Sequence, residues 1–278
     1  MNILYFAKHG SGGNDDEGAV AYALRALGHD VEEVHERHAD LGGRCADLLL
    51  CHHPADPARL AAFHGPKVYW CFDRVVGWSN ERSIWAAAMR DVCDLGFHTD
   101  GDFVDQDRTG KLRWLPQGAD ERRLASSIRV SDHGVLFVGS IRGRESFVDW
   151  CFREIGGAFH HVPHGVHGDE LMELIRRTAV VVAPDSPVSD RYWSNRVYLI
   201  LSMGGFLLHP WSAGLAEQYG GLELMMYKDR RHLLQLLTTS NDVRAAYVAA
   251  GLKATIEKHL YRHRCAELMR YVAEFLCA

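Results

Sequence analysis

Three neighbouring residues, Ser194, Asn195 and Arg196, bring a hydroxyl, an amide and a guanidinium to the point where a polar loop turns into an apolar helix. The first N–H groups of a helix lack internal partners and sit at the positive end of its dipole. An arginine beside them adds a forked charge, so this triplet suits an anion. Ser140, Arg142 and Arg144 form a second group of the same character, at the end of the apolar run 134–140. Ligands of open α/β sheets bind beyond the carboxyl ends of the strands, so this group is expected to face the same ligand. Proton transfer calls for a carboxylate. Asp73 closes VYWCF and is the first candidate, Asp100 after LGFHT the second, and Asp15, Asp16 and Glu17 follow a loop containing Gly10, Gly12 and Gly13. Each of these acids can serve as a base or cap a helix. The tract HHVPHGVHGD holds His160, His161, His164 and His167, a composition that can bind metal. It has neither a helical H-x-x-x-H pair nor a cysteine, so no metal is expected there.

These residues need elements to position them. NILYFAKHGSGGNDDEGAVAYALRALGHDVEEV has the pattern of strand, glycine-rich loop, helix, Gly28 stop and strand. Apolar runs follow at 47–51, 68–72, 95–98 and 112–115, separated by helical or loop-like sequence, which predicts a parallel sheet with helical crossovers. LPQGADERRL breaks the pattern. A second series opens at GVLFVGS, continues through a strand at 180–183 to the Gly204-Gly205 stop and a strand at 206–209, and ends in a long helical tail. The expected organisation is a first α/β domain over 1–125, a second over 132–254, and a C-terminal helix at 255–278 that returns to the first.

The chain has 278 residues, 47% of them hydrophobic and 24% charged, with a formal charge of −5. These values are ordinary for a globular protein and disfavour binding to nucleic acid by charge alone. No apolar run is long enough for a membrane span and the first residues form a strand, so a cytoplasmic protein is expected. Seven cysteines without a C-x-x-C pair disfavour a disulfide framework or a cysteine zinc site.

SNRVYLILSMGGFLLHPWSAGLAEQY, then LELMMYKDRRHLLQLL, then IEKHLYRHRCAELM resemble, in order and spacing, the GT-B glycosyltransferases, specifically the CgeB-like branch of the group 1 glycosyl transferases. VYWCFDR and GVLFVGS also fit. The resemblance implies two Rossmann-like domains facing a central cleft, with a nucleotide-sugar donor (a UDP- or GDP-sugar) on the second and an acceptor hydroxyl over the first. It also implies metal-independent transfer with no obligatory cofactor. On that basis Ser140, Arg142, Arg144, Ser194, Asn195 and Arg196 would hold the diphosphate, and Val162, Pro163 and His164 would wall the base. Gly12, Gly13, Asp15, Asp185 and Trp193 would line the sugar and acceptor cleft. Asp73, or failing it Asp100, would deprotonate the acceptor if configuration is inverted. The acceptor is a glycan, a small molecule, a protein or, as in small bacteriophage enzymes of this fold, a modified DNA base. One departure is Leu199, at the position where many such enzymes carry a ribose-binding Glu. The alternatives are a sugar-nucleotide epimerase of the same architecture and a nucleotide-binding module without activity, and donor hydrolysis separates these from a transferase.

Overall fold

The computed structural model describes residues 1–10, 15–37, 40–52, 56–77, 79–163, 165–184 and 188–277. It divides into two compact units, Met1–Gly118 with Tyr261–Ala278, and Ala119–Leu260.

The first unit is built on β1 (Asn2–Ala7), α1 (Asp16–Ala26), β2 (Asp30–His35), β3 (Leu48–Cys51), β4 (Lys67–Cys71), α2 (Asn80–Val92), β5 (Leu95–His98), a short α3 (Gly101–Val104) and β6 (Leu112–Trp114). Its strands pair in parallel in the order β2-β1-β3-β4-β5-β6. Helices cover both faces, which is why β1, β3, β4 and β5 read as unbroken apolar runs. Ile3, Tyr5 and Ala7 pack on one side with Ala19, Val20 and Leu24 of α1, while Leu4 and Phe6 pack on the other with Ala86 and Met89 of α2.

The second unit contains β7 (Val135–Val138), α4 (Glu145–Glu154), β8 (Phe159–Val162), α5 (Gly168–Arg176), β9 (Val180–Val182), α6 (Arg196–Ser202), β10 (Leu207–Pro210), α7 (Ala213–Gln218), β11 (Met225–Tyr227), α8 (Arg230–Leu236) and α9 (Asn241–Lys258). Its parallel order is β11-β10-β9-β7-β8. Gly204 ends α6 with φ 76. At Gly205 a Cβ would lie 2.5 Å from Ile175 Cγ2, so the helix drops into its strand only with glycine there.

The helical tail is two helices. α9 stops where His259 leaves helical geometry (φ −128, ψ 23), and Leu260 then bridges to Ala119. α9 stays in the second unit, and α10 (Tyr261–Cys277) belongs to the first. The chain thus changes unit at 118/119, inside the LPQGADERRL break, and at 260/261, a few residues beyond the expected start of the returning helix at 255. No described helix is long and apolar enough to cross a membrane.

Candidate functional site

In the second unit the anion chemistry gathers at the carboxyl ends of the strands. Arg196 opens α6 and folds its guanidinium over β7, with Cζ 5.4 Å from the Phe137 ring centroid and Nη1 donating to Ser194 Oγ at 3.3 Å. This placement depends on Gly139, which follows β7: a Cβ there would sit 2.3 Å from Arg196 Nη2. His161 of β8 stacks on Phe137, centroids 5.3 Å apart, and its Nε2 meets Gly139 O at 2.8 Å. Arg144 joins the group from the loop after β7, its Nη1 donating to Ser140 O at 3.1 Å.

Burial and then the nearby charge of Arg144 pull the Arg196 pKa down to about 10, opposed only by Tyr192. Burial also lowers that of Arg144, against Tyr192 and Glu145. Among the described residues no carboxylate forms an ion pair with either guanidinium. Two guanidiniums that repel each other and are partly desolvated, with neither ion-paired to a carboxylate among the described residues, are relieved by a bound anion.

His209 lies beside them at the end of β10. Its Nδ1 donates to Pro210 O at 2.7 Å, and burial followed by the Arg196 charge lowers its pKa to about 4. An unfolded histidine titrates near 6.5, so the unfolded chain binds the extra proton first as pH falls. Stability is therefore expected to be full above about pH 6.5 and to drop by roughly 1–2 kcal/mol on the way to pH 4, allowing for partial solvent screening. Urea denaturation across that range checks this, and His209→Gln is expected to flatten that part of the curve.

The other anticipated residues of this unit divide. Arg142 is exposed, and its N–H donates to Ser140 Oγ at 3.2 Å. Asn195 precedes α6 in αR geometry without a side-chain cap bond. Val162 ends β8 half-buried, Pro163 is exposed, and His164 and Asp185 lie outside the described residues. Trp193 is corrected: only 5% exposed, it donates Nε1–H to Tyr198 Oη at 2.7 Å and is a core anchor, so its face is closed to a sugar. Among the described residues no group of three or more His, Cys, Asp or Glu is placed to hold a metal ion.

In the first unit Asp73 follows β4 and lines a cavity of about 280 Å³ with Lys8, Glu81, Arg82 and Trp85. Its Oδ2 lies 3.2 Å from Arg82 Nη2, both side chains a third to a half exposed, so the pair is weak and can yield to a ligand. Asp100 is corrected. It is fully buried: Oδ2 accepts from Val75 N at 2.7 Å and Val76 N at 2.8 Å, and Oδ1 from Phe103 N at 3.3 Å, so it caps α3 and braces the turn after Asp73. A carboxylate that is fully buried and bound to three backbone donors is closed to an acceptor hydroxyl and does not serve as a base. Asp15 is also a cap, Oδ1 accepting from Gly18 N at 2.9 Å at the start of α1. Gly12 and Gly13 lie outside the described residues. Glu17, in the first turn of α1, is another of the acids after that loop. Burial raises its pKa, and its Oε1 stands 4.0 Å from Nε2 of the buried His52.

The model of the family described as glycosyl transferase-like matches residues 119–270. Over 99% of the chain, the fold is similar to that of the T4 phage β-glucosyltransferase (TM-score 0.65, 10% identity, 99% of that chain). It is similar to the same extent to Anabaena HepE in complex with UDP-glucose (TM-score 0.65, 11% identity, 100% of that chain). An α1,3-fucosyltransferase with GDP is also similar (TM-score 0.59, 9% identity, 99% of this chain and 90% of that one). At such identities the likeness concerns the fold, which is GT-B. No curated protein sequence matches the chain.

Proposed function

Because the chain belongs to the glycosyl transferase-like family, we propose that it transfers a hexosyl group from a nucleotide sugar to an acceptor hydroxyl, with the donor bound in its second unit. The observation that carries this is the Arg144–Arg196 pair beyond the ends of β7 and β9, two mutually repelling guanidiniums with no ion-paired carboxylate among the described residues. Cleavage of a nucleotide sugar leaves a diphosphate whose growing negative charge must be stabilised. Fixed cations in a partly dry site do this without reorganising. Arg196, held by Phe137 and Ser194, and Arg144, held by Ser140 O, meet that need with no metal. Val162 and Pro163, at the end of β8 next to β7 in the sheet, would flank the nucleotide base. UDP and GDP sugars are the donors to try first, given the complexes of the similar structures. Asp73 is the proposed base, in a cavity whose Trp85 offers an aromatic wall to a sugar ring.

Calorimetry in EDTA-containing buffer tests the donor site. Arg196→Ala is expected to weaken nucleoside-diphosphate binding about 10- to 100-fold, the range of a lost charge-assisted contact. Unchanged affinity would remove Arg196 from the site.

Charge distribution bears on the acceptor. The first unit holds 15 Lys and Arg against 20 Asp and Glu, whereas the second is balanced at 16 of each. Polyanions bind through clustered cations that release counterions, and an acidic acceptor unit opposes this. We therefore favour a glycan or small-molecule acceptor in the cytoplasm over modified DNA. Duplex DNA bearing hydroxymethylated bases is expected to show no retention in a gel-shift assay at about 0.1 M salt. A salt-sensitive shifted band would restore the nucleic-acid acceptor.

A further inference from the structure

His209 lies beside Arg196, one of the two cations of the proposed donor site, and its chemistry is the opposite of theirs. The Nδ1 to Pro210 O contact of 2.7 Å needs a proton on Nδ1, because a carbonyl can only accept. The imidazole is neutral near pH 7, since both burial and Arg196 disfavour a second proton. Nε2 is thereby left with a lone pair. Among the described residues no group donates to it, and it is not sealed in the core. His209 sits at the end of β10, one strand from β9 and two from β7, whose following loop carries Arg144 and lies under Arg196.

A site that bound only phosphate would be built wholly of donors. A lone pair next to the guanidiniums repels a phosphate oxygen and accepts a hydroxyl, so the favoured ligand carries an O–H group immediately beside its phosphates. We propose that His209 is a specificity-determining residue whose Nε2, held as an acceptor by the Nδ1–H bond to Pro210, takes a hydroxyl of the glycosyl group attached to the donor's diphosphate. This rests on the reading of Arg144 and Arg196 as the donor site. The phosphates bind through the arginines, and His209 separates a nucleotide sugar from the bare nucleotide. A site that must leave such a hydrogen bond unmade rejects the ligand that lacks the group.

Calorimetry at pH 7.5 with UDP, GDP, UDP-glucose and GDP-glucose tests the proposal on wild type, His209→Ala and His209→Gln. The wild type is expected to bind one nucleotide sugar more tightly than its own nucleotide. His209→Ala is expected to lose about tenfold for the nucleotide sugar and less than about twofold for the nucleotide, the size of one hydrogen bond. His209→Gln, which keeps an acceptor oxygen, is expected to recover part of the difference, and it guards against a folding defect in the alanine variant. Equal losses for sugar and nucleotide, or no loss for either, overturn the role of His209 while leaving the donor site standing. If the wild type binds none of the four ligands, the donor-site reading falls and the role of His209 falls with it.

Discussion

Asp73→Asn is expected to cut glycosyl transfer roughly 100-fold or more while leaving nucleotide-sugar affinity within about twofold. The amide keeps the shape of the carboxylate and cannot take a proton from the attacking hydroxyl. Asp73 stands in the first unit's cavity, whereas the arginines assigned to the donor are in the second, so the two functions should separate cleanly. Steady-state transfer, or donor hydrolysis with water as acceptor, read beside calorimetry of the same variant checks this. Turnover within threefold of wild type, at about the precision of such assays, would remove the base from Asp73 and make Glu17 the next residue to replace, on account of its half-buried carboxyl with a raised pKa. Arg82→Ala is the companion control. It breaks the pair at 3.2 Å without touching the carboxylate and is expected to change turnover far less.

Asp100→Ala is expected to lower stability by about 3–5 kcal/mol, a chemical-denaturation shift large enough to threaten folding at growth temperature. The residue satisfies three backbone N–H groups in a fully buried setting, and each orphaned donor costs on the order of 1–3 kcal/mol. Asp100→Asn keeps one acceptor oxygen and is expected to lose markedly less. Because Val75 and Val76 belong to the turn directly after Asp73, the asparagine variant is also expected to impair turnover through a displaced Asp73 while remaining folded. Equal stability of both variants with wild type would show that the cap carries no weight.

Much of the architecture was legible because parallel strands buried on both faces leave continuous apolar runs, and VYWCF, LGFHT and VLFV became β4, β5 and β7. Arg144 and Arg196 stood out in sequence as candidates for an anion because one follows the apolar run 134–140 and the other opens a helix after a polar loop. The geometry joining them did not. It depends on strand order β9-β7-β8, which spacing along the chain does not encode, and on Gly139, whose missing side chain lets Arg196 lie across β7. Asp100 and Trp193 misled for one reason. A polar or amphipathic residue at a strand-to-helix junction looks the same in sequence whether it meets a ligand or closes the fold on itself, and burial alone separates the two. His209 gave no signal, since its role as an acceptor comes from a bond to the next residue's carbonyl and from an arginine thirteen positions away.

The return of α10 to the first unit bears on the order in which a growing chain can fold. Tyr261, Cys265, Leu268, Met269 and Val272 fill the same core as Ile3, Tyr5 and Trp70, with Tyr261 Oη donating to Asp16 Oδ1 at 2.9 Å and Arg264 Nε to Gln117 O at 3.1 Å. During synthesis, residues 1–118 leave the ribosome first but lack one wall of their core until residues 261–277 follow. The contiguous stretch 119–260 has everything it needs earlier. The usual order of domain-by-domain folding is inverted: the downstream unit is complete before the upstream one, and the apolar face that awaits α10 is the surface a chaperone would have to shield in the interval.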